Sequence, residues 1–572
     1  MVTGVYEAVP LEEADRSVRS FEVNDEQRLL TNTVVDFLNR EPSVDLRQRG
    51  QSNIQTDVSI RGATFGQTLV LLNGFRMNDA QSGHHNMDLP VPLESVDRIE
   101  VLKGSGSTLY GSDAIGGVVQ LITRVPSFSQ ASLRGALGNF GTNQQRIDGS
   151  MVHGNWTGEL AGYRDFSTGF APNRDYRNLA LSASIGYESK LGLTSVLMAL
   201  GDKPFGGDQF YGNFNSWERT KTWFASIRQT LGSRTTVAFG YRRHSDLFVL
   251  FRDQPERSTN RHIAENYQAN FRRWEPLGSI TSGAKLHWGL EGYGDSITSN
   301  NLGNHSRGRG AGYAAFDMRA LKRFSFSIGG REELYAGFGS QFSPTASAGV
   351  WLTERWKLHT SASRAFRIPT YTDLYYSDPR TLGNPNLKPE SAWSYEAGAD
   401  WNAGGKVRGS AVWFQRREHN GIDYVRRPDQ VIGEATNYSS LQFNGAEVAV
   451  VVRAAASQVL EFRYTGIHGG RAVLGDLISR YTFNYASNLA VAGWTGSLPG
   501  GITARFRVGA TQRYGSDPYG VADIYVARTR GRWKPFVQLT NFTDTTYQEV
   551  TGVPMPGRGI LAGMEVQVWR GK

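Results

Sequence analysis

The chain has 572 residues, of which 39% are hydrophobic, and its 66 glycines, 29 Phe, 24 Tyr and 13 Trp are abundant. The absence of cysteine excludes a disulfide framework and any thiolate site. The formal charge is +9, but the Lys and Arg residues are scattered, which indicates solvated loops rather than a surface for nucleic acid. No run approaches the roughly 18 apolar residues that a membrane-spanning helix needs, which excludes a helical membrane protein.

The first residues, MVTGVYEAVPLEEADRS, lack the basic start and apolar core of a signal peptide. The chain is therefore either cytosolic or a mature form that has lost its signal. The strand pattern described below favours the mature, exported form, and we expect no disulfide chemistry in either case.

Residues 21–125 are predicted to form a compact α/β unit. A helix capped by Asn24 or Asp25 is predicted over residues 25–40, because its apolar residues recur at helical spacing. Short strands follow in DVSIRG, in TLVLLNGFRMN with Asn73-Gly74 as a tight turn, in DRIEVLKG and in GGVVQLITR. The consecutive apolar residues in LVLL predict a strand that is buried on both faces.

From about residue 130 the pattern becomes a strict alternation of apolar and polar residues. In TVAFGYRR, Val237 and Phe239 share one face while Arg242 lies on the other, and AKLHWGLEG, VLEFRYTG and ITARFRVGA repeat the arrangement. In a soluble β-sandwich, the apolar face of such a strand packs on the core and the polar face meets water. In a membrane barrel, the apolar face meets lipid and the polar face lines a wet lumen. Alternation alone therefore leaves both architectures open.

Loop lengths favour the barrel. Tight turns are predicted at residues 231–233, 353–355, 402–405, 454–457, 497–501 and 528–531, and long polar loops at roughly 202–220, 243–265, 296–310, 366–392, 416–440 and 543–558. Alternating short turns and long loops are typical of outer-membrane barrels. At about 20 residues for each strand and its connection, the segment after residue 130 predicts about 22 strands, and a barrel that wide needs a plug. A last strand in GMEVQVW, with Met564, Val566 and Val568 alternating, is expected to pair with the first strand.

Several longer strings match one known family in order along the chain. SIRGATFGQTLVLLNGFRMN and PLESVDRIEVLKGSGSTLYGSDAIGGVVQLIT resemble its plug signature, and AFRIPTYTDLYY, GNPNLKPESAWSYEAG, QFNGAEV and PFVQLTNFTDTTYQEVTGVPMPGRG resemble its barrel signatures. The chain thus resembles the TonB-dependent outer-membrane receptors, closest to their cobalamin-receptor-like branch. The resemblance implies an all-β transmembrane barrel with a small α/β plug domain inside the lumen. We expect an N-terminal TonB-box segment over 1–20, the plug over 21–125 and the barrel over 126–572.

The resemblance also implies energised transport across the outer membrane of a Gram-negative-type bacterium. TonB, driven by the ExbB–ExbD inner-membrane motor, pairs with a short extended segment of such receptors by strand addition. Val2, Thr3 and Gly4 resemble the end of that TonB box, and the alternative is an unstructured terminus. The C terminus departs from the family pattern, because Trp569 is followed by three more residues where members usually end on an aromatic residue.

An ionic lock between plug and barrel is a further implication of the resemblance. Plug residues Arg61 and Arg98 or Lys103 are expected to face barrel residues Glu390 and Glu447. Such pairs contribute little when hydrated and are costly to break only when buried, which suits a plug that must be released. Ordinary surface charges are the alternative.

The substrate is expected to contact the apical loops of the plug and the longer barrel loops. The candidate residues are Thr64, Phe65, Gln67, Asp79, Gln81, His84, His85, Asn86, Phe210, Tyr211 and Trp217. His84 and His85 with Asp88 also allow a metal or haem site or structural hydrogen bonds, but adjacent loop histidines point apart and no further ligand is identifiable. The aromatic residues near 205–217 are equally typical of a barrel-rim girdle.

The predicted function is TonB-dependent import of a scarce, bulky nutrient, either cobalamin-like or a ferric siderophore, by a monomer in contact with outer-membrane lipid and lipopolysaccharide. No aspartate-rich cluster for calcium is evident, and no metal or cofactor is expected. A passive or binding-only receptor is the alternative. An enzyme is not expected, because no nucleophile–His–acid string, phosphate-binding loop or spaced metal ligands occur in a recognisable context.

Overall fold

The computed structural model describes residues 10–278, 283–321, 323–470 and 475–571. A small N-terminal α/β domain, called the plug below, lies inside a closed barrel that is formed by the rest of the chain. The predicted coupling residues Val2, Thr3 and Gly4 fall outside the described residues. Within those ranges, no helix has the length and apolar character needed to cross a membrane.

The plug is built on a five-stranded sheet in the order β1-β6-β7-β4-β5, with β2 and β3 forming a separate pair. Its elements are β1 (Val18–Glu22), α1 (Asp25–Leu29), α2 (Val34–Leu38), β2 (Val44–Gln48), β3 (Thr56–Ile60), β4 (Thr68–Leu72), β5 (Phe75–Arg76), β6 (Val96–Lys103), α3 (Ser107–Tyr110) and β7 (Gly117–Thr123). All of β4 is buried, as the LVLL run predicts. The Asn73-Gly74 turn is also confirmed, since both residues have the positive φ that a tight hairpin turn requires.

The single helix predicted over residues 25–40 is wrong. Asn24 caps α1 by accepting a hydrogen bond from the amide of Gln27, but the helix ends at Leu29. Thr33 then caps the second helix, α2, in a capping box with Asp36. Because the Thr33 side chain competes for the helical amides, it starts a new helix where the apolar periodicity alone predicts a continuous one.

The barrel comprises 22 antiparallel strands within the described residues, and the last strand pairs with the first to close the sheet. Its first half contains β8 (Gln130–Gly138), β9 (Asn143–His153), β10 (Trp156–Ser167), β11 (Tyr176–Ser189), β12 (Gly192–Asp208), β13 (Asn215–Leu231), β14 (Thr235–Val249), β15 (Thr259–Pro276), β16 (Ala284–Ser299), β17 (Gly303–Leu321) and β18 (Phe324–Tyr335). Its second half contains β19 (Gly339–Thr353), β20 (Trp356–Arg367), β22 (Glu390–Ala403), β23 (Val407–Arg426), β24 (Gly433–Ala455), β25 (Gln458–Gly469), β27 (Ala486–Leu498), β28 (Ile502–Arg513), β29 (Tyr519–Arg528), β30 (Trp533–Thr540) and β33 (Gly559–Arg570). Helix α4 (Tyr371–Tyr375) and the short strands β21 (Thr381–Leu382), β26 (Ile478–Ser479), β31 (Gln548–Val550) and β32 (Val553–Pro554) belong to the connections.

The two faces of the barrel wall differ as the alternation predicts. Val237 and Phe239 on β14 are exposed on the outside, whereas Arg242 on the same strand is 1% exposed and points inward. Leu460 and Phe462 on β25 are likewise exposed, and Arg463 is buried. Such a continuous apolar outer surface is suited to contact with hydrocarbon rather than water.

The predicted tight turns are confirmed, but several predicted long loops are wrong. Each predicted turn joins two neighbouring strands, as residues 232–234 join β13 to β14. By contrast, residues 202–208 and 215–220 belong to β12 and β13, and only 209–214 remain as a connection. These strand ends carry polar side chains that point toward the lumen. Their amino-acid composition is therefore similar to that of a loop, which explains the wrong prediction. The segments 243–265, 296–310 and 416–440 are also mostly strand, whereas 368–389 and 541–558 are long connections.

The plug fills the barrel through polar contacts that radiate to many strands. Asp45 of the plug binds Arg513 of β28 in a two-pronged ion pair, at 2.9 and 3.0 Å. On another side, Asp15 lies 2.9 Å from the Nζ of Lys357 on β20. Apolar packing adds to these pairs where Phe75 meets Phe224 of β13 edge-to-face. The inner surface of the barrel is therefore covered by its own leading domain.

We expect Phe239→Arg to destabilise the folded barrel by about 2–4 kcal/mol, the cost of a cation in the middle of the hydrocarbon. Phe239 lies on the outward face of β14 and is exposed. The measurement is folding into lipid vesicles as a function of denaturant. Phe239→Leu is the control and should fold like the parent chain. Equal midpoints for the arginine and leucine variants would contradict the assignment of this face to lipid.

Candidate functional site

Two loops of the plug meet at the end of the barrel that carries the long connections. The first follows β3, where Thr64 caps a short 3-10 turn over Phe65–Gln67. The second runs from Asp79 to Asp88 and contains a 3-10 turn over Gly83–His85. The Asn86 side chain fastens the two loops, because it accepts from the amide of Asp79 and donates to the carbonyl of Phe65.

Close packing between the loops requires a glycine at position 83. A Cβ atom on Gly83 would lie 2.6 Å from the Cδ2 atom of Phe65. The Phe65 ring instead stacks on His84 at 4.3 Å between centroids and meets Tyr481 edge-on at 5.0 Å. The plug loops thus present an aromatic surface to the space above them.

That space is a cavity of about 790 Å³ between the plug loops and the barrel wall. Six of the predicted substrate-binding residues line it: Thr64, Phe65, Gln81, His84, His85 and Tyr211. The barrel contributes further aromatic side chains, namely Phe214, Phe248, Tyr376, Tyr424 and Tyr481. A cavity of this size with a mixed aromatic and polar lining is typical of a small-molecule site.

Charged side chains of both signs line the cavity. Arg380, Arg426 and Arg480 lie on the connections and strand ends between residues 380 and 480. Glu218, Asp246 and His262 come from β13, β14 and β15. Asp378 and Asp423 line the cavity beside these arginines, so that part of the wall carries both signs of charge.

Five predicted substrate residues do not line the cavity. Gln67 is buried and donates to Glu390 at 3.2 Å, and Asn86 is used in fastening the loops. Asp79 is held inside by Arg242 and His244 at 2.8 and 2.9 Å. Phe210 is buried in an apolar cluster beside Phe205. Trp217 neighbours the inward-facing Glu218 on the strand and therefore points to the other side of the wall.

The two adjacent histidines point apart, as expected. The Nδ1 atom of His84 lies 2.7 Å from Asp57, and burial lowers the pKa of His84 despite that carboxylate. An uncharged ring at neutral pH suits its stacking on Phe65. His85 turns the other way, toward Asp246 and Asp88, at 3.6 Å from each.

Several cavity residues were missed by the sequence analysis. Glu218, Asp246 and His262 lie on strand ends that their polar composition marks as loops, and Arg480 and Tyr481 lie in a connection between β25 and β27 that was not predicted. A signal for the strand ends exists, since Arg242, His244 and Asp246 continue the alternation of β14. No comparable signal marks Arg480 or Tyr481.

Below the cavity, Arg61 joins the plug to the barrel. It follows β3 with a positive φ of 53°, and its guanidinium lies 2.7 Å from both Glu447 and Glu396. Lys103 approaches the same Glu447 at 3.0 Å and Glu41 of the plug at 2.8 Å. The geometry thus brings together Arg61, Lys103 and Glu447 and adds Glu396, which the sequence analysis missed.

The remaining two predicted lock residues are placed differently. Arg98 binds Asp97 and Glu100, both in the plug, at 3.1 and 2.8 Å, so it does not reach the barrel. It lies on β6, and its side chain is partly exposed. Glu390 pairs with Arg367 of the barrel, and its contact with the plug is the hydrogen bond from Gln67. The expectation of an arginine partner for Glu390 in the plug is therefore corrected.

We expect Glu447→Gln to destabilise the plug by about 3 kcal/mol, because it leaves part of the charge of Arg61 and Lys103 buried without a partner. Hydrogen exchange of the β3 amides in the folded protein measures the free energy of plug opening. Arg98→Gln is the matched control, since it removes a partly exposed pair within the plug and should cost under about 1 kcal/mol. The hypothesis fails if the two variants exchange at the same rate.

Acid should release the plug in part through Glu41. Burial opposes ionisation, but Lys103, Arg463 and Arg19 outweigh it and lower the pKa of Glu41 to about 2. Its contribution is present above the unfolded pKa of about 4.3 and is lost as the pH falls toward 2. We expect Glu41→Gln to flatten the pH dependence of plug opening in that window, as measured by hydrogen exchange. An unchanged slope would show that other carboxylates dominate.

Comparison with family models agrees with this architecture. A model described as "TonB dependent receptor-like, beta-barrel" matches residues 139–557, and one described as "TonB-dependent Receptor Plug Domain" matches residues 10–118. Both domains of the chain are therefore covered, the plug first and the barrel second.

Curated relatives are similar over most of the chain. A vitamin B12 transporter, BtuB, of Photobacterium profundum is 27% identical over an alignment covering 64% of this chain and 61% of that protein. An iron-regulated outer membrane virulence protein of Vibrio cholerae is 27% identical, with 82% and 77% covered. The chain thus spans about three fifths of the length of the first of these relatives.

Solved structures share the fold. The siderophore receptor PirA from Acinetobacter baumannii superposes with a TM-score of 0.78 at 14% identity, covering 96% of this chain and 98% of that one. A point mutant of the ferric enterobactin receptor PfeA from Pseudomonas aeruginosa gives a TM-score of 0.80 at 15% identity, covering 97% and 99%. At these identities the likeness concerns the fold alone.

Proposed function

The chain belongs to the family of TonB-dependent receptors, and from that premise we propose that it is an active transporter of the outer membrane. It captures a scarce, bulky nutrient from outside the cell and passes it to the periplasm. The observation that carries the proposal is the cavity of about 790 Å³, whose floor is the plug itself. A ligand in this cavity rests on Phe65, His84 and His85, the parts of the plug that must move before anything can pass.

The transport step needs work from elsewhere, because the outer membrane holds neither ATP nor a sustained potential. We propose that TonB, driven by ExbB and ExbD, supplies that work by pairing with the segment around Val2, Thr3 and Gly4. The pull would break the contacts of Arg61 and Lys103 with Glu447. Those contacts are buried but polar, so water entering the opened interface can hydrate each charge as it is released.

Two nutrient classes agree with the lining of the cavity. The relatives named above include a vitamin B12 transporter and siderophore receptors, so a cobalamin-like molecule and a ferric siderophore are both proposed for this chain. Arg380, Arg426 and Arg480 can bind the negative charge of an anionic iron chelate, and Asp378 and Asp423 beside them offset part of that preference over a neutral corrinoid. The aromatic side chains suit the flat rings of either class.

A binding screen followed by uptake in cells tests the proposal. The detergent-solubilised chain is titrated with cobalamins, haem and ferric siderophores, and the ligand that binds is radiolabelled and offered to cells with and without TonB. We expect saturable binding of one class at micromolar or lower concentration, and accumulation only in cells with TonB. Binding with equal uptake in both strains would favour a passive receptor.

We expect Arg480→Ala to weaken binding of that ligand about tenfold, a loss of roughly 1.4 kcal/mol. Arg480 lines the cavity and lies over the ring of Tyr481, so its removal takes away both a charge and an aromatic contact. Arg530→Ala is the control, because Arg530 lies in the turn between β29 and β30, at the end with the short connections. The ligand would have to bind elsewhere if the two variants had the same affinity.

A further inference from the structure

We propose that His85, Glu218 and Asp246 bind a first-row divalent transition-metal ion, such as Zn²⁺, at the floor of the cavity. His85 belongs to the second plug loop, Glu218 to β13 and Asp246 to β14. One ligand atom from each side chain lies within 4.8 Å of those of the other two. The inference does not depend on which nutrient the cavity accepts.

Within the described residues, the carboxylates of Glu218 and Asp246 face His85 and are not paired with a lysine or an arginine. Nearby, Asp79 is paired with Arg242 at 2.8 Å, and Asp88 is paired with Lys203 at 2.9 Å. Among the described residues, by contrast, neither Glu218 nor Asp246 forms an ion pair with a lysine or an arginine. The carboxylates of Glu218 and Asp246 are thus held in the barrel wall with His85 as their shared neighbour.

Both carboxylates also have an oxygen without a hydrogen-bond partner. Glu218 is 3% exposed and Asp246 is 5% exposed. Within the described part of the chain, no hydrogen-bond donor reaches Oε1 of Glu218 or Oδ1 of Asp246. The other oxygens are bound, since Tyr211 donates to Glu218 and Gln81 donates to Asp246. An unpartnered buried carboxylate oxygen is costly, and a cation between the two would satisfy both.

The neighbouring group of His85, Asp88 and His244 is a weaker candidate, although its atoms are equally close. His244 already contacts Asp79 and Asp88 with its two ring nitrogens, at 2.9 and 3.0 Å. Asp88 is additionally bound by Lys203. A metal there would have to displace contacts that are already made, whereas Glu218 and Asp246 each keep one oxygen that has no donor among the described residues.

The separations are close to those that a metal requires. The Nδ1 of His85 is 3.9 Å from Oε1 of Glu218, and its Nε2 is 3.6 Å from Oδ2 of Asp246. A tetrahedral ion with bonds of about 2.0–2.2 Å keeps its ligand atoms roughly 3.3–3.6 Å apart. Since one ion uses a single ring nitrogen and Oδ2 of Asp246 already accepts from Gln81, the Asp246 carboxylate must turn to present its unpartnered Oδ1 to the ion.

A further imidazole lines the cavity beside these three residues. His262 lies directly opposite Asp246 on β15 and lines the same cavity. Its Nδ1 atom contacts the hydroxyl of Ser299 at 2.8 Å, which leaves Nε2 as the nitrogen to reach an ion. A set of imidazole nitrogens and carboxylate oxygens suits zinc, nickel or cobalt better than calcium or magnesium, which prefer oxygen alone.

The ion would join the plug to the wall, because His85 moves with the plug while Glu218 and Asp246 belong to the barrel. The cavity reaches all three residues, so the ion can enter from outside. Binding would hold the second plug loop against β13 and β14. Plug opening should therefore be slower with the metal than without it.

The test uses the full chain without an affinity tag, in detergent, after treatment with a chelator. Titration with Zn²⁺ by calorimetry should give one ion per chain, and Co²⁺ should give visible absorption bands of nitrogen and oxygen coordination. Glu218→Gln and Asp246→Asn should each weaken binding at least tenfold. Hydrogen exchange of the second plug loop should slow on adding Zn²⁺ to the parent chain and not to these variants.

Two matched controls line the same cavity outside the site. His84→Gln replaces the neighbouring histidine, which is bound to Asp57, and Asp378→Asn replaces an exposed carboxylate. Both should bind one ion like the parent chain, and all variants should show the heat-dependent gel migration of a folded barrel. The proposal is overturned if no ion binds, or if the variant carrying both Glu218→Gln and Asp246→Asn binds as tightly as the parent. Neither result bears on nutrient uptake, which is measured separately.

Discussion

The contact on which the rest of the structure depends is the buried, charged interface between plug and barrel. A barrel of 22 strands is too wide for its own side chains to fill, and its inner wall carries many charges because the outer wall takes the apolar residues. Those inner charges need partners, and the plug supplies them in pairs such as Asp45 with Arg513 and Arg61 with Glu447. Each domain thus satisfies polar groups that the other would leave unpaired.

The same interface reconciles a sealed pore with a plug that can be moved. An apolar interface of this size would resist separation, since water would have to cover every exposed carbon atom. Paired charges are also costly to separate in a dry interior, but the cost falls as soon as water enters between them. The plug is therefore stable while these charge pairs stay buried, and it becomes easier to release once separation has begun.

The sequence predicts the wall of the barrel well because a strand in a membrane has few alternatives. Residues such as Phe239 and Arg242 must face opposite sides, and the tight turns at the other end of the barrel carry glycine or polar residues that mark them. The pattern fails where strands extend beyond the lipid. There, side chains such as Glu218 face a wet cavity, and the polar composition predicts a loop. The prediction of one continuous helix over residues 25–40 failed for a local reason, because Thr33 caps a second helix within that range.

The candidate site is only partly predictable for a related reason. The plug loops carry the strings that resemble the family, so Phe65, His84 and His85 were found, and the structure places all three in the cavity. Whether the side chain of a plug-loop residue points into the cavity or into the plug depends on the residues that surround it. Asp79 is pulled inward by Arg242, and Asn86 is used as a fastener. Partners such as Tyr481 come from distant connections, and a single sequence does not reveal that proximity.

The long strands that enclose the cavity have a consequence for how it discriminates between molecules. β23 and β24 contain 20 and 23 residues, about twice the 9–11 that cross a bilayer. The part of the wall that these strands form is therefore hydrogen-bonded sheet, and its shape exists before a ligand binds, whereas residues such as Tyr376 and Tyr481 line the cavity from connections. Little chain entropy is lost in that part of the wall on binding, which favours affinity. The same rigidity limits conformational adaptation. A molecule whose shape does not match the strand-built wall should therefore be excluded sterically, because that wall does not rearrange to fit it.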